Sequence, residues 1–256
     1  MPEDTAPFPP FDYRARDAYY WDRLEQLKAE EGMTLPDMLM NWPSYVRRRE
    51  LPRFLAHYEL FKQVIDLPGC IVECGVFRGA SLFTWTKLME TFCPGDRNRK
   101  IYGFDHFEGL TDFNAKDGAD VPDHFHKEHG GWKASARHAR VLTELANLDG
   151  LMPGLDRCEL IEESVMTALG PFVERHPGLR ISLLYLDMDI YEPTLEALRL
   201  LYPLVVKGGI VALDEYGLQP WEGESRAAEE YFASIGEAPV WRKFPTAVLP
   251  GGYFVK

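Results

Sequence analysis

Apolar and polar positions follow two different rhythms along the chain. Up to about residue 67 the apolar residues recur at helical spacing, as in Tyr20, Leu24 and Leu27. This spacing predicts helices over 17–31 and 34–50, separated by Gly32, and a third over 51–65 with Pro52 tolerated in its first turn. Residues 1 to about 15 are proline-rich without periodicity and read as an extended arm. After Leu67-Pro68-Gly69 short apolar runs take over: CIVEC (70–74), KIYGFD (100–105), CELIE (158–162), ISLLYLDMD (181–189) and GIVALDE (209–215). Between them lie amphipathic stretches at 79–92, 134–149, 164–175 and 192–205. Strands alternating with helices predict βαβ units, hence an α/β fold with a doubly wound, mostly parallel sheet covered on both faces. After a last helix near 225–235, VWRKF and GGYFVK read as a terminal hairpin that adds an antiparallel edge strand. The predicted organisation is an arm and helical cap over 1–67, then a sheet domain over 68–256. The polar, Gly-rich stretch 111–133 is long for a βα loop and reads as an insertion or lid.

Charge narrows the range of partners. The formal net charge is −12, which argues against nucleic acid and against an anionic membrane surface. The dense basic run Arg47–Arg49 is short and reads as a solvated or salt-bridged helix end. No apolar run reaches the roughly 18 residues of a membrane span, and the N-terminus is acidic and proline-rich rather than a leader. A cytoplasmic protein is therefore expected. Cys70, Cys74, Cys93 and Cys158 are too sparse for a disulfide framework and read as small core residues.

Three segments carry candidate chemistry. In IVECGVFRGAS (71–81) an apolar strand runs into Gly75 and Gly79 at the start of a helix, where backbone can approach a nucleotide-like ligand. The spacing is Gly-x3-Gly with Glu73 just before it, and a carboxylate there suits a cationic ligand better than a pyrophosphate. In YGFDHFEGL (102–110) the second strand closes on Asp105, placed to accept from ribose hydroxyls or to cap a helix, with His106 beside it as a further cofactor contact. In LLYLDMDIYEPT (183–194) and VALDEYG (211–217) two apolar strands end in acids. Asp187 and Asp189 are two apart and leave one face of an extended chain, and Asp214 and Glu215 join them from the adjacent strand. Four such carboxylates repel by several kcal/mol at low effective dielectric, so protonation or a bound cation is expected. All-oxygen ligands favour Mg²⁺ or Ca²⁺ over zinc. Tyr191 and Tyr216 directly follow the acids and are candidates for a substrate pocket. His124, His126 and His129 of the insertion read as ordinary exposed residues.

Taken together, VECGVFRGAS, FDHFEGL, LDMDIYEPTLEALRLLYP and KGGIVALDEYG resemble the macrocin O-methyltransferase family over about residues 70–235. Those proteins are metal-dependent class I methyltransferases, Rossmann-like in fold, that act on sugar hydroxyls in antibiotic biosynthesis. The resemblance implies that Glu73, Gly75, Arg78, Gly79, Ser81 and Asp105 hold S-adenosylmethionine, with Ser164 near the adenine and Asp187 adjoining the cofactor. It also implies Mg²⁺ on Asp187, Asp214 and Glu215, and Asp189 as the general base. The family usually carries Asp-Asp where this chain has Asp214-Glu215, which leaves the coordination by Glu215 open. A further likeness to the enediyne-pathway sugar methyltransferases points to a dTDP-activated deoxyhexose such as rhamnose, at its 3′-OH, as acceptor. A small-molecule sugar or nucleotide-sugar substrate and a homo-oligomer are the expected partners. Two alternatives remain on the residues alone. A nicotinamide-dependent oxidoreductase is opposed by the Gly-x3-Gly loop and the carboxylate before it, and a non-catalytic nucleotide-binding module leaves the four acids as an unexplained cost.

Overall fold

The computed structural model describes residues 12–118 and 126–256. The arm up to residue 11 and His124 therefore lie outside the described residues. The chain divides into two compact units at Leu51 and Pro52.

In the first unit, α1 (Tyr13–Glu30) starts on Asp12, whose carboxylate accepts from the Ala15 N–H at 2.9 Å. Helix α2 (Leu35–Met40) starts on a capping box in which Thr34 and Asp37 satisfy each other's backbone N–H groups. It is shorter than the predicted 34–50. Pro43 has no N–H to continue an α-helix, and the chain passes into a 3₁₀ turn at Trp42–Ser44. In the basic run, Arg47 and Arg49 both pair with Asp17, and Arg47 lies over the Tyr20 ring.

The second unit begins with α3 (Leu51–Val64), which buries Ala56, His57, Leu60, Phe61 and Val64 along one face. This helix was expected in the N-terminal cap ending at 67. Its apolar stripe assigns it to the sheet unit instead. The strands are β1 (Cys70–Cys74), β2 (Ile101–Phe104), β3 (Cys158–Ile161), β4 (Ile181–Leu186), β5 (Val205–Leu213) and β6 (Gly252–Val255). They alternate with α4 (Ala80–Phe92), α5 (Ala136–Leu148), α6 (Val165–Arg175), α7 (Tyr191–Leu201) and α8 (Glu222–Ser234). The sheet order is β3-β2-β1-β4-β5-β6, parallel except for the antiparallel pair β5–β6. The predicted edge strand is present, but its pairing with VWRKF is reduced to a single antiparallel bridge. Only Arg242 bridges to Tyr253.

Alternation within the strands feeds two cores. Val72, Phe104, Leu184, Leu186 and Leu213 pack towards α6, α7 and α8, whereas Ile71, Ile101, Leu183, Tyr185 and Ile210 pack towards α3 and α4. Each such fully buried aliphatic side chain contributes about 1.5–3 kcal/mol of transfer free energy. Cys74 and Cys158 are buried in these cores, and all four cysteines are free thiols. The topology also places the site. Chain order leaves β1 towards β2 on one side and β4 on the other, so a crevice opens at the carboxyl ends of β1 and β4.

Candidate active site

A cavity of about 470 Å³ fills that crevice. Gly75 enters it from the end of β1, Asp105 from β2, Asp187 and Asp189 from β4, and Asp214 and Glu215 from β5. Gly75 has φ +90°, and a Cβ on it would lie 1.7 Å from the Asp187 carbonyl oxygen. Only glycine permits the first loop to cross so close to the fourth strand. Gly79 (φ +83°) begins α4, with its missing Cβ facing the Phe83 ring.

Asp105 organises the first loop. Its Oδ2 accepts from the N–H groups of Val76 (2.9 Å) and Phe77 (2.7 Å), and its Oδ1 from Phe107 (2.6 Å). It is not a helix N-cap, because no helix starts there. A carboxylate has roughly four acceptor sites, so Oδ1 retains capacity towards a ligand in the cavity. His106 and Ser164 also line the cavity. Nδ1 of His106 accepts from the Glu108 N–H, and the Ser164 hydroxyl caps α6.

Glu73, Arg78, Tyr191 and Tyr216 stand elsewhere. Glu73 is fully buried beneath the loop and accepts from Ser81 Oγ (2.8 Å) and Trp85 Nε1 (2.7 Å), with burial pushing its carboxyl up to about 8. It supports the loop from below. Ser81 itself borders the cavity. Arg78 is exposed, its guanidinium over the Phe77 ring. The Tyr191 hydroxyl is engaged by Lys116 Nζ and Glu230, each at 2.7 Å, and Tyr216 stacks on Trp241 at 3.8 Å. Neither tyrosine is on the cavity wall. The aromatic lining comes from Phe77, Phe104, Trp132 and Trp221 instead. His126 and His129 are exposed, as the sequence suggested.

The acids converge for a reason different from strand alternation. Strand β4 ends at Leu186, and Asp189 adopts φ +65°. The turn, not an extended face, brings Asp189 back to Asp187. Oxygens of Asp187, Asp214 and Glu215 all lie within 4.8 Å of one another. Burial pushes Asp189 up to about 7, with the Asp214 charge as the next cause. Burial and neighbouring acids also hold Asp187 and Glu215 well above the ordinary carboxylate range.

Arg53 of α3 supplies a cation inside the cluster that periodicity did not reveal. Its Nη2 donates to Asp187 Oδ2 at 2.8 Å and to Asp214 Oδ2 at 2.9 Å. Asp214 Oδ1 accepts from Tyr185 OH, which is hydrogen-bonded on its other side to His57 Nε2 at 3.1 Å. Glu215 Oε2 is buried without a hydrogen-bond partner among the described residues. A buried carboxylate oxygen left bare is costly. With three oxygen donors within 4.8 Å of one another, the residues fit a hard divalent cation.

An open sheet of this order, with a ligand-sized cavity at the β1/β4 switch point, is the Rossmann-like α/β fold of class I methyltransferases, seen also in calicheamicin methyltransferase CalS11. The sequence profile of the macrocin O-methyltransferase (TylF) family matches residues 47–236, and the chain belongs to that family. The CalS11 structure is 27% identical, covers 98% of this chain and 99% of that chain, and has a TM-score of 0.82. A second CalS11 structure, the apo form, is described as a TDP-rhamnose 3′-O-methyltransferase. The 8-demethyl-8-(2,3-dimethoxy-alpha-L-rhamnosyl)-tetracenomycin-C 4′-O-methyltransferase of Streptomyces olivaceus is 30% identical over 155 residues, 59% of this chain and 54% of that protein. The demethyldecarbamoylnovobiocin O-methyltransferase of Streptomyces niveus is 28% identical over 158 residues, 60% of this chain and 55% of that protein. The chain spans about half the length of these curated relatives.

Proposed function

We propose that the protein transfers a methyl group from S-adenosylmethionine to a deoxysugar hydroxyl with the help of Mg²⁺, in the biosynthesis of an antibiotic-type natural product. The observation that carries this reading is the convergence of Asp187, Asp214 and Glu215 beside the Gly75 loop, in a chain of the macrocin O-methyltransferase family.

In this reading Gly75, Asp105, His106 and Ser164, which line the cavity, would hold S-adenosylmethionine, with the free acceptor capacity of Asp105 available to ribose hydroxyls. S-adenosylmethionine supplies an activated methyl group. Asp187, Asp214 and Glu215 would hold Mg²⁺, which would supply Lewis acidity towards an acceptor hydroxyl. Asp189 accepts the proton that the hydroxyl loses, and its position near neutrality suits a general base. The apolar wall of Leu110, Trp132, Leu218 and Trp221 excludes water and orients the sugar. Full-length likeness to CalS11 supports a dTDP-activated deoxyhexose such as rhamnose, methylated at its 3′-OH, as the acceptor.

The test is an acceptor screen with methyl-labelled S-adenosylmethionine over nucleotide sugars and rhamnosylated glycosides, with Mg²⁺ or with EDTA. We expect label in dTDP-rhamnose and its loss in EDTA. The glycoside arm is needed because Arg53 is the sole Lys or Arg among the described cavity-lining residues, and a pyrophosphate needs cationic partners. Label only in glycosides would overturn the nucleotide-sugar preference. Full activity in EDTA, or in Asp187→Asn, would overturn the metal role.

A further inference from the structure

The sheet register positions only half of the acid cluster. Asp187 and Asp214 directly follow strand ends, and their backbones continue the ladder. The Asp187 N–H donates to the Cys74 carbonyl at 2.8 Å, and the Asp214 N–H to the Leu186 carbonyl at 2.9 Å. Asp189 and Glu215 lie past those last rungs. Both meet Glu224 instead, a residue in the first turn of α8 with 0% exposure. Its Oε1 accepts from the N–H groups of Met188 (3.0 Å) and Asp189 (3.3 Å), and its Oε2 from the Glu215 N–H (2.9 Å). One carboxylate thus ties the loop after β4 to the loop after β5.

Two further observations show that the tie is specific. Asp189 has φ +65°, a strained backbone for a residue with a Cβ, and such strain persists only where surrounding groups over-determine it. At the adjoining Gly223, a Cβ would lie 2.7 Å from Tyr191 N and 2.9 Å from Ile190 Cα. The start of α8 is therefore seated directly against the turn that carries Asp189. An acid that merely complements a helix N-terminus would need no loop donors.

We propose that Glu224 is a positioning residue: it sets the placement of Asp189 and Glu215 relative to Asp187 and Asp214, and thereby the affinity of the cluster for a divalent cation and the turnover. The inference rests on reading the cluster as a metal-and-base site. Glu224 touches no reacting atom. Glu224→Gln keeps the size of the side chain but replaces one acceptor oxygen with an NH₂ group facing an N–H donor, so one of the two loops is released.

The experiment compares wild type, Glu224→Gln and Glu224→Asp by Mn²⁺ titration followed by electron paramagnetic resonance, by calorimetry with S-adenosylhomocysteine, and by steady-state kinetics on the acceptor found in the screen. We expect Glu224→Gln to bind S-adenosylhomocysteine within about twofold of wild type. Its Mn²⁺ affinity and kcat should fall by about 10–100-fold, the usual effect of removing an outer partner of metal ligands, with KM for S-adenosylmethionine nearly unchanged. Wild-type Mn²⁺ affinity and kcat in that variant, whatever its melting temperature, would overturn the proposal. Should Glu224→Gln fail to fold, Glu224→Asp decides by the same criteria, because it keeps the carboxyl group but is one methylene too short to reach both loops. A wild-type protein that binds no Mn²⁺ would instead overturn the metal reading, and this inference with it.

Discussion

Asp189 is placed by the turn it sits in more than by its neighbours along the strand. Asp189 is buried, has φ +65°, and is raised to about 7 by burial and the Asp214 charge, so it holds or releases a proton near neutral pH. As the proposed base it must be unprotonated to act, so activity should rise with pH through an acid limb at or below about 7, since a nearby divalent cation favours the carboxylate. Asp189→Asn should lose about 10²–10⁴-fold in kcat while binding S-adenosylhomocysteine normally by calorimetry; near-native turnover would remove it as the base. The acids were readable from the sequence because each follows an apolar strand. Glu73 and Tyr191 show the limit of such reading. Adjacency along the chain says nothing of direction, and their polar atoms are taken by Ser81 and Trp85 in one case and by Lys116 and Glu230 in the other.

Among the elements, α3 differs most from its sequence reading. Its periodicity announces a helix but not which unit it covers, and only packing shows that His57 and Arg53 reach under the ends of β4 and β5. His57 is fully buried, its Nδ1 has no hydrogen-bond partner among the described residues, and burial with the nearby Arg53 charge lowers it to about 3. It is therefore neutral in the folded protein, whereas in the unfolded chain it takes a proton below about 6.5. The unfolded state then binds more protons, and the stability held above pH 6.5 is lost as the pH falls towards 3. At pH 5 this one group costs about 2 kcal/mol. The stability gap between wild type and His57→Gln, measured by urea denaturation, should thus narrow by about that amount from pH 7.5 to pH 5. An unchanged gap would show that His57 is not held neutral.

At the scale of the whole molecule, the net charge of −12 says little about the site, where buried acids carry their own counter-ion in Arg53. No described helix is long and apolar enough to cross a membrane. From Asp12 to Glu50 no residue is buried, and Tyr13, Leu35, Leu39 and Met40 are each at least 60% exposed. A helical segment of that size without a core gains stability by association, so we expect sedimentation to show a homo-oligomer; a monomer at micromolar concentration would count against it. The alternation of strands and helices, the mostly parallel sheet with its antiparallel edge, and the acid-tipped strand ends all follow from periodicities and end signals that a chain expresses locally. The bridge from Arg53 to Asp187 and Asp214, the turn at Asp189 and the grip of Glu224 on two loops join residues that local spacing does not relate. Those arose only from packing, since burial and hydrogen-bond direction exist once the elements have met.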